Sequence, residues 1–246
     1  YVATVISHGT GLYKRLLVNG VGMTTLSPVT KFMAHIPLAV HKEKPQSALI
    51  ICLGMGTTFR SAASWGIETT AVELVPGVRD AFGFYFDDAA EVLKKPNVKI
   101  VVDDGRRFLR RTSEKFDLIT IDPPPPFESS GSGLLYSEEF YRILKARLKN
   151  NGILQQWMPT DKADFALEKF NIHVVAAAIC AEFPFVKAYY INGLGCHFFA
   201  SMQPFSMPSP DEFVARLPPQ AAADLVEWMP DKSPAYIYEH FLEKEM

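Results

Sequence analysis

Four short apolar stretches of this chain run into residues that can do chemistry. Residues 48–53 lead to Gly54 and Gly56, 69–74 contain Glu73, 98–102 lead to Asp104, and 116–121 lead to Asp122. Open α/β sheets take ligands outside the carboxyl ends of their strands, so the shared position of these residues matters more than any one of them. Gly54-Met55-Gly56 is a tight strand-to-helix turn that lets a ligand approach the backbone, or a turn with no ligand. A pyrophosphate fingerprint wants a further glycine three positions after the second, and Phe59 stands there. A phosphate-free nucleoside such as S-adenosylmethionine tolerates the looser turn. Glu73, 17 residues after Gly56, has the spacing of an acid that accepts both ribose hydroxyls. Its bland alternative is a solvated charge at a strand end. Asp104 fits an acceptor for an adenine amino group, with Gly105 beside it. It equally fits a cap for the helix that follows, a task for which Asp103 competes.

Asp122-Pro123-Pro124-Pro125-Pro126-Phe127 is the most unusual segment. Four prolines after a buried strand make a stiff extended wall with no backbone donors, which fits poorly with a simple linker. Asp-Pro-Pro followed by an aromatic also resembles the amine-binding loop of amino-group methyltransferases, although two more prolines intervene here. Residues 129–133, rich in Ser and Gly, could gate the cleft. His35 reads as a satisfied core histidine rather than a base, and Trp65, Trp157 and the many phenylalanines as core.

Those residues need a frame to hold them. Residues 1–21, punctuated by glycines, read as short antiparallel strands and turns. Ser27-Pro28 opens a helix carrying Val29, Phe32, Met33, Ile36 and Val40. From residue 48 strands alternate with helices, the latter predicted through Trp65, over 76–93, over 106–111 and over 137–149. Residues 152–157 form a fifth strand. This rhythm implies βαβ crossovers and a mostly parallel, doubly wound sheet. A helix capped by Thr160-Asp161 and reaching Ala181 follows, then a hairpin of 185–191 with 197–202. The division is an N-terminal β-element over 1–26, a Rossmann-like nucleoside-binding domain over 27–205, and a Pro-rich, helical tail over 206–246.

Composition narrows the function. The chain has 246 residues, enough for one substantial core, and a net charge of −2, which gives no reason to expect nucleic acid. No apolar run approaches the ~20 residues of a bilayer span; the longest convincing one is 174–181. No signal peptide is read, and a start at Tyr1 reads as an excised domain with room for a missing upstream partner. Cys52, Cys180 and Cys196 lack metal-ligand spacing and read as buried, reduced thiols in a cytoplasmic setting, with no metal.

From about residue 16 to 202 the chain resembles the spermidine synthase (polyamine aminopropyltransferase) superfamily. The resemblance is greatest to the soluble spermidine-synthase-like domains fused to bacterial membrane transporters. It rests on Leu17-Val18-Asn19-Gly20, Ala34-His35-Ile36-Pro37, the Gly54-Met55-Gly56 turn, Val72-Glu73, Asp104-Gly105 and Ile121-Asp122. Leu135 to Tyr141, Gly152 to Trp157 and His197 to Ser201 match as well. The resemblance implies the methyltransferase-type Rossmann-like fold, with S-adenosylmethionine or its decarboxylated form held by Glu73, Asp104 and neighbours. It implies transfer to a small amine acceptor, and allows a homodimer and a transporter segment that would tether the domain to the inner membrane. Aminopropyltransferases carry an Asp where Met55 stands, Gln and Tyr where Met23 and Val29 stand, and a second acid where Pro125 stands. The nucleoside half of the site is kept and the amine half rewritten. Aminopropyl transfer, methyl transfer with Asp122 near the reacting centre, and a non-catalytic nucleoside sensor are the three readings.

Overall fold

A computed structural model describes residues 3–41, 43–124, 131–159 and 165–246. Three strands, β1 (Val5–His8), β2 (Arg15–Val18) and β3 (Val21–Thr25), form a small antiparallel sheet ahead of the main body. α1 (Pro28–Val40) follows, its first turn capped by the Ser27 side chain. The body then alternates β4 (Ser47–Ile51), α2 (Thr57–Ala63), β5 (Glu68–Glu73), α3 (Pro76–Asp80), α4 (Phe82–Tyr85), α5 (Ala89–Lys94), β6 (Val98–Val102), α6 (Gly105–Arg111) and β7 (Phe116–Ile121). It continues through α7 (Glu138–Lys145), β8 (Leu148–Met158), α8 (Phe165–Glu182), β9 (Phe185–Ile191) and β10 (Gly195–Ser201) to α9 (Pro210–Arg216), α10 (Pro219–Val226) and α11 (Pro234–Leu242).

The main sheet runs β6-β5-β4-β7-β8-β10-β9. Its first five members are parallel, and β10 and β9 add an antiparallel edge. This is the doubly wound, mostly parallel sheet with a C-terminal hairpin that the strand-helix rhythm implies. β4 and β7 lie side by side although three helical connections and two strands separate them in sequence. The winding reverses between them, so the crevice of an open sheet opens at their carboxyl ends.

Two predicted helices are shorter than the periodicity implies. Residues 76–93 form three helices: the backbone stays helical at Ala81 and turns extended at Phe86 (φ −128°, ψ 126°), whose ring is buried. Phe82 is buried beside it. It packs edge-on against Phe59 with centroids 5.7 Å apart and tilts against Phe86 at 5.5 Å. The helix predicted over 137–149 stops at Lys145. There the chain is claimed by β8, whose Leu148 pairs with Phe116, and Asn150-Asn151-Gly152 lies in the strand. Thr160 and Asp161, predicted as the cap of α8, lie outside the described residues.

The sheet separates two apolar layers. One joins α1, α2 and the three C-terminal helices through Phe32, Ile36, Phe59, Phe213, Leu225 and Phe241. The other joins α6, α7 and α8 through Leu109, Phe140, Leu144 and Ile179. Trp65 is core as predicted, whereas Trp157 is half-buried and Phe84 and Phe170 are exposed. The cysteines also differ from expectation. Cys196 is buried, Cys52 half-buried and Cys180 exposed, because its position on α8 faces away from the sheet. No helix among the described residues is long and apolar enough to cross a membrane.

The C-terminal helices are bound to the body by charge as well as by apolar packing. Asp224 on α10 accepts from Lys31 Nζ at 2.9 Å, Arg60 Nη1 at 2.7 Å, His35 Nε2 at 2.8 Å and Ser61 Oγ at 2.6 Å. Lys31 and His35 are wholly buried, and Asp224 is nearly so. Trp65 Nε1 donates to His35 Nδ1 at 3.0 Å, so Nε2 carries the proton given to Asp224. His35 is thus the satisfied core histidine that its apolar neighbours predict.

Candidate active site

The strand β4 ends on Ile51, and the next five residues reverse the chain in a sequence of left-handed conformations. Cys52 has φ +69°, Gly54 φ +55° and Gly56 φ +88°. Gly56 is required twice over. Its backbone is left-handed, and a Cβ there would lie 2.4 Å from Phe82 Cδ2. Phe82, on the second of the three short helices over 76–94, therefore closes against the turn. Gly56→Ala is expected to cost about 2–4 kcal/mol, combining left-handed strain and overpacking. Chemical denaturation checks it; a loss below 1 kcal/mol would mean that Phe82 yields freely. β3 reaches the same turn, with Thr24 Cγ2 3.7 Å from where a Gly54 Cβ would stand.

Glu73 closes β5 and is not a solvated strand-end charge. Its side chain is buried, with Oε2 accepting from Leu53 N at 3.0 Å and Oε1 from Val75 N at 2.9 Å. Burial raises its pKa above the ordinary carboxylate value, and the amides of Val75, Leu53, Gly54 and Leu74 oppose the rise. Glu73 is thereby tied to the glycine turn from the neighbouring strand. A carboxylate has about four lone-pair positions, so the two close bonds leave capacity on each oxygen for hydroxyl donors.

Asp104 does cap α6. Its Oδ1 accepts from Arg107 N at 2.8 Å, and Asp103 Oδ1 in turn accepts from Asp104 N at 2.7 Å. The two competing acids share the corner, Asp104 holding the helix and Asp103 holding Asp104. Gly105 begins that helix where a Cβ would stand 2.7 Å from Ile51 Cγ2, so the helix start lies directly on β4. The capping alternative is what the hydrogen bonds show; an adenine contact would have to use the second oxygen.

Asp122 follows β7, with its amide donating to Ile51 O at 3.2 Å. Its half-buried carboxyl has no hydrogen-bond or ion-pair partner among the described residues, and burial pushes its pKa up to about 7. Beside it the Cys52 thiol is pushed up as well, by burial first and then by the charges of Glu73, Asp122 and Asp104. The charges of three strand-end carboxyl groups therefore act on one thiol at the switch point. A raised carboxyl pKa means that folded protein binds the proton more tightly than unfolded chain. Stability should accordingly fall as pH rises from about 4 to about 7. Asp122→Asn mimics the protonated form and is expected to raise the melting temperature at pH 8 and not at pH 4. Equal effects at both pH values would place the pKa elsewhere.

Pro123 is buried and Pro124 half-buried, whereas Pro125, Phe127 and residues 129–130 of the gate predicted over 129–133 lie outside the described residues; the rest of that segment leads into a short helical turn, Ser132–Tyr136. The Tyr136 hydroxyl, with one hydrogen to give, lies 3.1 Å from Pro124 O and 3.4 Å from Pro123 O. Neither Tyr136 nor Cys52 was singled out by strand-end reasoning. The glycines signal the turn, but nothing in the type of Cys52 signals its own left-handed φ of +69°, and Tyr136 meets the prolines only through the fold. Met23 is half-buried on β3, while Val29 and Met55 are buried and offer no polar group. No cluster of potential metal ligands occurs among the described residues. A surface hollow of about 420 Å³ lies elsewhere, lined by Arg60, Asp88, Glu91, Gln220, Asp224 and Glu227. Arg60 already pairs with Asp88, Asp224 and Glu227 there.

The arrangement of glycine turn and strand-end acids coincides with a sequence family. The spermine/spermidine synthase domain profile matches residues 26–192, more than half of the chain. The chain belongs to the spermine/spermidine synthase family. A polyamine aminopropyltransferase of Sulfurisphaera tokodaii is 31% identical over 166 residues, 65% of this chain and 53% of that protein. One from Sulfolobus acidocaldarius is 29% identical over 205 residues, 76% of this chain and 64% of that protein. The chain thus spans between about half and two-thirds of the length of these relatives.

Solved structures share the fold. A spermidine synthase in complex with the transition-state analogue AdoDATO superposes with a TM-score of 0.68 at 23% identity, covering 91% of this chain and 85% of that one. The spermidine synthase of Thermotoga maritima gives 0.66 at 21%, over 93% and 85%. Human methyltransferase-like protein 13 in complex with SAH gives 0.56 at 16%, over 83% and 89%. The fold is therefore the α/β S-adenosylmethionine-binding fold common to spermidine synthases and methyltransferases.

Proposed function

We propose that this chain is a spermidine-synthase-like transferase domain that binds decarboxylated S-adenosylmethionine or S-adenosylmethionine and transfers an alkyl group, in the first case aminopropyl, to a small amine. The observation that carries this reading is the convergence of Glu73, Asp104 and Asp122 on the β4–β7 switch point in a chain of this family. Glu73 would accept the ribose hydroxyls and Asp104 the adenine amino group. The Gly54-Met55-Gly56 turn would bring the backbone close to the nucleoside.

In such a site the donor is already activated by its sulfonium. The amine lone pair attacks the carbon next to sulfur, the carbon–sulfur bond breaks, and its electron pair stays on sulfur as a neutral thioether. With the decarboxylated donor that product is methylthioadenosine. The protein's task is alignment and exclusion of water, together with an acceptor for the proton that leaves nitrogen. Asp122, without a partner among the described residues and pushed by burial to a pKa of about 7, is suited to hold that proton. Its ionised form would also favour the cationic donor and amine.

Methyl transfer is favoured by a different observation. Met55 is buried, and Asp122 is the carboxyl at the end of β7 without a second described acid beside it, which weakens attraction for a polycation. Incubation with putrescine and each donor, followed by mass spectrometry, tests both. Spermidine plus methylthioadenosine supports aminopropyl transfer, whereas S-adenosylhomocysteine with a methylated amine supports methyl transfer. Nucleoside binding without either product would make the chain a sensor domain. A cytoplasmic setting, attachment to a transporter segment and pairing as a homodimer belong to the same reading.

A further inference from the structure

Cys52 holds its left-handed φ of +69° with a side chain attached, a conformation that a non-glycine residue keeps only where its surroundings impose it. On the sheet side, Cys52 N donates to Val72 O at 3.1 Å and Leu53 N to Glu73 Oε2 at 3.0 Å. On the other side the Phe82 ring lies so close to Gly56 that no Cβ would fit between them. Phe82 is itself wedged, edge-on against Phe59 at 5.7 Å and tilted against Phe86 at 5.5 Å. The Arg60 guanidinium carbon stands 5.1 Å from the centre of the Phe86 ring. Three carboxylates hold that guanidinium in place. Its Nε donates to Asp88 at 2.9 Å, Nη1 to Asp224 at 2.7 Å and Glu227 at 2.8 Å, and Nη2 to Glu227 at 3.2 Å. Arg60 also lies one helical turn after Gly56, with its amide donating to Gly56 O at 2.9 Å. Gly56, Phe82, Phe86 and Arg60 therefore form a closed circuit whose two ends both belong to the start of α2.

We propose that Arg60 is a positioning residue for the nucleoside, holding the turn 52–56 in its ligand-ready shape through Phe86 and Phe82. This inference rests on the function proposed above, in which that turn brings the backbone to the nucleoside. Without the guanidinium, Phe86 loses its backing and Phe82 is free to retreat from Gly56. The turn then relaxes toward conformations that cost Cys52 less. Only molecules that keep the shape bind, so the apparent affinity falls in proportion to their fraction.

The test is calorimetry of the full chain with methylthioadenosine, alongside thermal melting. R60M should bind about tenfold more weakly than wild type, within the range that substitutions along a packed coupling path produce. Adding Cys52→Gly to R60M should return the affinity to within about threefold of wild type, because glycine takes the left-handed conformation without a wedge. Phe213→Leu thins the same apolar layer at α9, and should lower the melting temperature with the affinity unchanged. A merely structural role for Arg60 predicts a lower melting temperature with unchanged affinity, or an affinity loss that Cys52→Gly does not recover. Either result overturns the inference, and so does an equal affinity loss in F213L. Where R60M does not fold, Phe86→Leu leaves every ion pair in place and should weaken binding by at least about threefold; an affinity within about twofold of wild type overturns the inference. Failure of the wild-type protein to bind methylthioadenosine overturns the proposed function, whereas wild-type binding that R60M or F86L matches overturns this inference alone.

Discussion

Asp224→Ala is expected to destabilise the protein by about 3–5 kcal/mol and to lower its melting temperature by about 10 °C or more. The substitution touches none of the strand-end acids, yet it strips the shared acceptor from Lys31, His35, Arg60 and Ser61 at once. Lys31 is wholly buried, so its ammonium would keep only Glu227 at 2.7 Å and the Trp228 ring at 4.3 Å. Leaving a buried cation half-compensated is costlier than the pair was worth. Burial alone would raise the Asp224 pKa. The hydrogen bond and charge of His35, the Lys31 charge and the Ser61 hydroxyl instead hold it well below the carboxylate range. A depressed carboxyl contributes stability above its unfolded pKa near 4 and loses it as pH falls further. Wild-type protein should therefore lose stability below about pH 4, with a shallower acid slope in the variant. Guanidinium unfolding at pH 7 and pH 3 measures both; a loss under 1 kcal/mol at pH 7 would show that the four donors find other partners.

Glu73→Ala is expected to weaken nucleoside binding by at least about a hundredfold, the equivalent of losing two charge-assisted hydrogen bonds. It should also loosen the site from within. Leu53 N and Val75 N would lose the oxygens they reach at 3.0 Å and 2.9 Å, and Leu53 lies inside the glycine turn. The stability loss and the affinity loss have different signatures. Melting reports the two orphaned amides, whereas calorimetry with methylthioadenosine reports the ribose contact. A variant that melts lower and binds as well as wild type would assign Glu73 to the turn alone.

Much of this frame was legible because strand ends announce themselves locally. An apolar run followed by glycine or acid marks β4, β5, β6 and β7 without any tertiary information. The pairing of β4 with β7 follows from the doubly wound rule. The helix over 76–93 was misread for the opposite reason. Its periodicity is adequate, and the break comes at Phe86, where the backbone turns extended and the ring packs on Phe82. Likewise Asp224 reaches Lys31 across 193 positions of sequence, so the tail reads as weakly helical when it is bonded to α1 and α2. Asp104 and Asp103 could not be separated by sequence, since either acid can cap a helix; the hydrogen bonds give them successive tasks. Tyr136 lay in a family-like stretch, but its reach to Pro123 and Pro124 depends on how the segment after β7 returns toward α7.

The three strand-end carboxyls also explain why the site is uneven. Glu73 is anchored by amides and Asp104 by α6, which suits the nucleoside-holding role proposed for them. Asp122 has no anchoring partner among the described residues, and burial pushes its pKa up to about 7, which suits the proton-accepting role proposed for it. The most direct test is calorimetric titration of the wild-type chain with S-adenosylmethionine, its decarboxylated form and methylthioadenosine. Saturable one-to-one binding of at least one of them, lost in Glu73→Ala, is the predicted result; no binding of any of the three would contradict the account.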